Sequence, residues 1–238
     1  MHQIDVNGLT VDVVRKDIKN LHLAVYPPNG RVRVAAPLRL DDEAVRLAVI
    51  ARLAWIKRQR AKYEAQERET KREYLNGESH YFLGARYRLN IVEEDTQPKV
   101  IVRNKQYLDL YIRPGSDSVQ RERIITAWYR ANLKAMIPPL IEKWEPVMGV
   151  QVADWGVKQM KTKWGSCNIK AHRIWVNLEL VKKPSRCLEF IIVHEMAHLL
   201  ERQHNERFIE LISKFLPQWR QYREELNRAP LAHAEWGY

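Results

Sequence analysis

The chain has 238 residues, 45% of them hydrophobic, and carries 40 Lys and Arg against 29 Asp and Glu, a net charge of +11. That length builds one good-sized domain or two small ones, and the basic balance is compatible with nucleic acid, phosphate-bearing substrates or an acidic surface as partner. Two cysteines, Cys167 and Cys187, exclude a disulfide scaffold. No run approaches the roughly 18 apolar residues of a membrane span, and the opening MHQIDVNGLTVDVV lacks a leader pattern. The expectation is a cytoplasmic, reduced protein with no membrane segment.

In chain order, IDVN and LTVDVVR flank Asn7-Gly8, a hairpin signal. LHLAVYP and RVRVAAP follow, joined by a turn at Pro27-Pro28-Asn29-Gly30. Asp41-Asp42-Glu43 then supplies acidic residues at a helix start, and the text to Glu67 has no Gly or Pro, predicting one long helix. Its second half mixes Lys and Arg with Trp55 and Tyr63. A solvated face laced with i,i+4 ion pairs accounts for that, as does a phosphate-backbone surface. Residues 78–113 return to strands, with turns at Gly84 and Asn104-Lys105. A helix from Val119 to about Lys143 is expected to kink or end at Pro138-Pro139.

Beyond Val150, VADWGVKQM and RIWVNLEL read as strands around a turn in KTKWGSCNIKAH. A helix runs from Pro184 to about Leu200, and another from Glu206 to about Asn227. No internal repeat is visible. The fold class is α+β: a β-rich N-terminal region with a long helix over 1–115, and a C-terminal catalytic region over 116–238. The boundary is soft between 115 and 150.

The chemistry concentrates in IIVHEMAHLLERQHNERF. His194-Glu195-Met196-Ala197-His198 is an H-E-x-x-H match. Four helical residues advance about 400°, so His194 and His198 stand one turn apart on one face and converge on a single ion. Glu195 lies about 100° from His194, placed to act on water rather than to ligate. Zinc lowers the pKa of water, and a neighbouring carboxylate takes the proton as the water attacks a carbonyl. Catalytic zinc takes three protein ligands. The third candidate is His204, which a continuous helix would carry about 9 Å further along the axis, so the chain must turn after about Leu200. Asn205 is the expected N-cap of the next helix. With no Gly or Pro there, Asn205 or Gln203 would have to take any left-handed conformation. From Phe190 to Leu200 the remaining residues are apolar. Burying three polar side chains without partners costs several kcal/mol, which a metal offsets and a coincidental hydrogen-bonded pair does less well.

These motifs, KTKWGSCNIKAHRIWVNLELVKKP followed by LEFIIVHEMAHLLERQHNERF and LPQW, resemble the YgjP-like metallopeptidase family, which is similar to the SprT-like proteases. The resemblance covers nearly the whole chain, with its specific motifs between Lys161 and Trp219. It implies a zincin-like core of the minimal gluzincin type, with His194, His198 and His204 as zinc ligands and Glu195 as general base. Where the family pattern has Ser after the third histidine, this chain has Asn205. A metzincin reading is disfavoured by Glu201 in place of Gly and by the lack of methionine after Met196.

Other candidates are weaker. Trp164, Gly165 and Ser166 either present backbone to an extended substrate or pack beneath the zinc site, and Gly165 allows another group to approach closely. Asn177 either contacts substrate or holds a turn. Cys167 could ligate zinc, though three histidines already suffice, and His172, His233, Tyr222 and Arg223 are candidates for stabilising the transition state. The leading expectation is a zinc-dependent hydrolase acting on protein or peptide substrates. A metal-dependent nucleoside-triphosphate pyrophosphatase of UTP type and a DNA-associated protease module are the alternatives. All-imidazole ligation favours one Zn2+ over magnesium, with manganese or nickel also able to serve. Oligomeric state is not readable.

Overall fold

The computed structural model describes residues 2–26, 30–65, 72–160 and 163–228. The chain forms two compact units, Met1–Arg68 and Glu69–Tyr238.

In the first unit, β1 (His2–Val6), β2 (Leu9–Lys16), β3 (His22–Tyr26) and β4 (Arg31–Pro37) make one sheet in the order β1-β2-β4-β3. The central pair is parallel and the outer pairs antiparallel. Asn7 and Gly8 both take positive φ, 55° and 76°, between the paired residues Val6 and Leu9, as a two-residue hairpin requires. The turn expected at residues 27–30 falls on positions 27–29, outside the described residues. Alternation buries Val11, Val13, Val32 and Val34 against Val45, Val49 and Ile56 of the helices. Asp12 is buried on the other face. The Arg31 guanidinium that hydrogen-bonds it holds its carboxyl below the usual range, against the opposing effect of burial. Asp41 caps α1 (Asp42–Ile50) by accepting from Ala44 N at 2.8 Å. The single helix expected to Glu67 is instead two. An Arg52 N–H to Val49 carbonyl bond of 3.0 Å tightens the chain before α2 (Leu53–Ala65).

The second unit repeats this topology. β5 (Ser79–Phe82), β6 (Ala85–Glu93), β7 (Lys99–Arg103) and β8 (Tyr107–Ile112) form a sheet in the order β5-β6-β8-β7, again parallel at the centre. The sequence shows no repeat because pattern, not residue identity, is what the two sheets share. α3 (Ser118–Met148) starts at an Asp117–Gln120 capping box and ends at Gly149, φ 66°. It continues through Pro138, Pro139 and Pro146, so it does not end at Pro138-Pro139. Each proline forfeits one helical hydrogen bond, while Leu133, Ile137, Ile141, Trp144 and Met148, buried at helical spacing, keep the axis on the core.

The third sheet joins β9 (Asp154–Lys158), β10 (Gly165–Asn168) and β11 (Arg173–Asn177) in the order β10-β11-β9, with β9 parallel to β11. Residues 165–168, expected in a turn, thus form an edge strand. β11 stops at Asn177, whose side chain accepts from Glu179 N at 3.2 Å and opens a 3₁₀ turn over Leu178–Lys182. α4 (Ser185–Ala197) packs against α3, β10 and β11. It is followed by α5 (Glu206–Phe215) and α6 (Trp219–Arg228). The last two were expected as one helix, but Pro217 forces Leu216 out of the helical region, to φ −134° and ψ 80°. The architecture is mixed α+β. Among the described residues no helix is long and apolar enough to cross a membrane.

Candidate metal centre

α4 carries His194 and Glu195 near its end, with His198 as its C-cap. Leu188, Ile192, Val193, Met196 and Ala197 are buried around them, each larger side chain contributing about 2 kcal/mol of hydrophobic stabilisation. This apolar clamp fixes the helix, and so fixes where the polar groups point. The helix then unwinds. Glu201 N–H bonds Ala197 O at 2.9 Å, the Glu201 carboxylate accepts from Gln203 N at 3.0 Å, and Asn205 N–H reaches Gln203 O at 2.8 Å. No residue from 198 to 205 takes positive φ, so the left-handed residue expected here is not used. A side-chain turn through Glu201 replaces it.

Asn205 caps α5 by accepting from Phe208 N at 3.0 Å, as the sequence predicts. The turn brings His204 Nε2 to 3.0 Å from His194 Nε2. Ligand-capable atoms of His194, His198 and His204 all lie within 4.8 Å of one another. His198 Nδ1 donates to Glu201 O at 3.2 Å, since a carbonyl only accepts, and this leaves Nε2 with its lone pair free. Burial, aided by His198, His204 and Arg223, pushes His194 down to about 3. Burial also lowers His204. Three clustered imidazole nitrogens are the donor set that a divalent ion of zinc type takes, so the residues fit such an ion.

Phe208 packs against all three imidazoles, with ring centroids 4.8 to 5.0 Å away. Phe190 meets His194 edge-on at 5.9 Å, with Trp219 stacked behind it. Neither aromatic stood out in sequence. The available signal for Phe208 was its place at the third position of a helix capped by Asn205.

Glu195 is buried, 5% exposed. Among the described residues nothing hydrogen-bonds its carboxylate, and burial pushes it up to about 8 against the pull of Lys163. A Cβ on Gly165 would stand 2.6 Å from Glu195 Oε1 and 2.9 Å from Ile191. The edge strand thus lies directly on the glutamate. Cys167 on the same strand is pushed up to about 11, first by burial and then by Glu195, which keeps it a thiol. It is not among the clustered ligand atoms.

The other candidates sit as follows. Trp164 is half-buried, its carbonyl accepting from Asn177 N at 2.9 Å. Ser166 is half-buried opposite Trp175. Asn177 is buried, and its amide donates to Met160 O and Lys163 O at 2.8 and 2.7 Å while accepting from Met160 N and Glu179 N. Its polar capacity is spent inside the protein. His172 is exposed at the β10–β11 hairpin and bonds Gln151 O. Tyr222 packs partly buried against the core. Arg223 is exposed, and its charge bears on both His194 and His204. His233 lies outside the described residues.

Among proteins of curated function, none matches the chain. Among solved structures, the metallopeptidase zymogen of Pyrococcus abyssi abylysin matches at 18% identity and a TM-score of 0.35, over 37% of this chain and 89% of that one. Residues 19–229 match the family described as YgjP-like, metallopeptidase domain, and the chain belongs to that family.

Proposed function

We propose that the protein is a zinc-dependent peptidase in which His194, His198 and His204 hold one ion and Glu195 is the general base. The observation that carries this reading is the convergence of three imidazoles, from the end of α4 and the loop after it, next to a helix carboxylate that is buried under an edge strand. When bound, the ion polarises a carbonyl and acidifies water. Glu195 takes the proton of the attacking water at a carboxylate oxygen and returns it to the departing amine nitrogen. Burial raises the proton affinity of that carboxyl, which suits it to hold the transferred proton until the amine departs. The His198–Glu201 and Phe208 contacts hold the rings so that no reorganisation is needed as charge develops.

Metal analysis of the purified protein, paired with casein hydrolysis, tests the assignment. The expected result is about one zinc per chain, a Glu195→Gln variant that keeps zinc and loses at least about 100-fold in rate, and a His198→Ala variant that loses zinc. Activity surviving Glu195→Gln overturns the mechanism. Turnover of UTP or ATP in place of casein overturns the substrate class.

A further inference from the structure

Two cations border the candidate metal centre, and neither has an ion-pair partner among the described residues. On the α6 side, the Arg223 guanidinium lies 5.9 Å from the Trp219 ring centroid. Trp219 stacks on Phe190 at 6.4 Å and 17°, and Phe190 meets His194 edge-on at 5.9 Å. A continuous line of rings therefore ties Arg223 to the first histidine. On the β10 side, Asn177 pins the Lys163 carbonyl at 2.7 Å, and two residues later Gly165 rests on Glu195. Lys163 is thus anchored at the entrance to the strand that covers the base. Both side chains belong to exposed residues.

Among the described residues no carboxylate is paired with either cation. Glu201, the acidic residue of the site loop, is engaged with Gln203 N, and its remaining charge faces Arg207. Glu225 on α6 is paired with Arg186.

We propose that Lys163 and Arg223 form a two-sided cationic rim that selects peptides with acidic side chains flanking the bond to be cut. The proposal rests on the peptidase reading and adds a substrate class to it. An exposed pair is worth at most about fivefold in affinity, whereas reversing a charge replaces attraction by repulsion. Two rim positions reversed together therefore shift the acidic-to-basic preference by at least about tenfold.

The test uses the full chain loaded with zinc. Glu195→Gln protein is titrated against three fluorescent peptides of one length, with acidic, neutral or basic flanks, and anisotropy is read at low and high salt. Wild-type protein is assayed for cleavage of the same three. The acidic peptide is expected to bind at least about tenfold more tightly than the basic one at low salt, with the gap narrowing as salt screens it. Lys163→Glu with Arg223→Glu is expected to invert the order while zinc content stays unchanged. Lys163→Gln with Arg223→Gln removes charge without reversing it and should level the three. Cleavage of all three peptides with equal kcat/KM keeps the peptidase and overturns the rim. An acidic preference untouched by either double variant also overturns it. Absence of cleavage of any peptide overturns the underlying peptidase reading instead.

Discussion

Gly165 sits against the carboxylate of Glu195 so closely that an added Cβ would stand 2.6 Å from Oε1 and 2.8 Å from Cγ. The glycine is needed here for space, since its φ is not in the left-handed region. Gly165→Ala therefore has to push either the edge strand or the glutamate. The expected result is a loss of about 1–3 kcal/mol of stability from overpacking and a fall of at least about tenfold in kcat/KM from the displaced base. Zinc content should be unaltered, because the three histidines lie elsewhere on the helix and loop. Unfolding by urea, kcat/KM and metal analysis on one preparation read all three. Unchanged kcat/KM would show that the glutamate tolerates the shift.

Phe208 is the common neighbour of His194, His198 and His204, at 5.0, 4.8 and 4.8 Å between ring centroids. It is 3% exposed. Truncating a buried Phe costs about 3–5 kcal/mol, and here it also unseats all three imidazoles at once. Phe208→Ala is expected to weaken zinc affinity by about 10–100-fold, the scale of losing support around metal ligands. Phe208→Leu, which keeps most of the volume, should restore most of both. Competition with a chromogenic chelator measures the affinity. Equal zinc affinity in Phe208→Ala would show that the rings are held by the backbone alone.

The clustering of His194 with His198 and the Asn205 cap were legible because each follows from local pattern: one helical turn between the histidines, and a cap chemistry at Asn205. The way His204 returns was only half legible. The need for a turn follows from helix rise, but its solution, the Glu201 side chain bonding Gln203 N, is one of several a polar loop can adopt. Gly165 was legible as a place of close approach, yet what approaches it is set by how β10 lies on α4, a tertiary fact. That α3 continues past Pro138-Pro139 was not legible, because local rules weigh the lost hydrogen bonds and not the buried row from Leu133 to Met148. The repeated β1-β2-β4-β3 order was invisible because topology depends on pairing partners that composition does not name.

Asn177 separates structure from chemistry in the WGSC region. Its amide ties Met160 and Lys163 to the end of β11 through two donated bonds, at 2.8 and 2.7 Å. Asn177→Ala leaves two carbonyls unpaired near a buried site, at about 1–3 kcal/mol for each group. Asn177→Asp does worse, setting a carboxylate against the same two carbonyl oxygens. Both are expected to lower the urea midpoint, Asp more than Ala, with metal stoichiometry retained in the folded fraction. If Asn177→Ala matches wild type in stability while KM rises, the residue contacts substrate and the hydrogen bonds in the fold are incidental.

His80 gives the fold a pH dependence separable from that of the metal centre. It lies on β5, 1% exposed, with neither ring nitrogen hydrogen-bonded. Burial, with Arg72 and Lys182 adding to it, pushes it down to about 3 from an ordinary 6.5. The folded state therefore keeps it neutral at pH values where the unfolded chain protonates it. Stability is fully present above about pH 6.5 and is lost progressively as pH falls from there toward 3, since the unfolded state binds the extra proton. Asp12 and Asp109, whose carboxyls arginine hydrogen bonds lower, keep their stabilising contribution through this window and lose it only as pH falls below the ordinary carboxylate range. His194 titrates downward in the same window as His80 in metal-free protein, so the comparison is made on zinc-loaded chains. Urea midpoints at pH 7.0, 6.0 and 5.0, chosen to straddle the ordinary histidine value, are expected to fall for wild type and to fall less for His80→Leu, which removes the titrating ring and fills the same buried position. Parallel slopes for the two proteins would place the acid sensitivity elsewhere and would mean that His80 is protonated in the fold, with Glu78, 3.8 Å away, as its counter-charge.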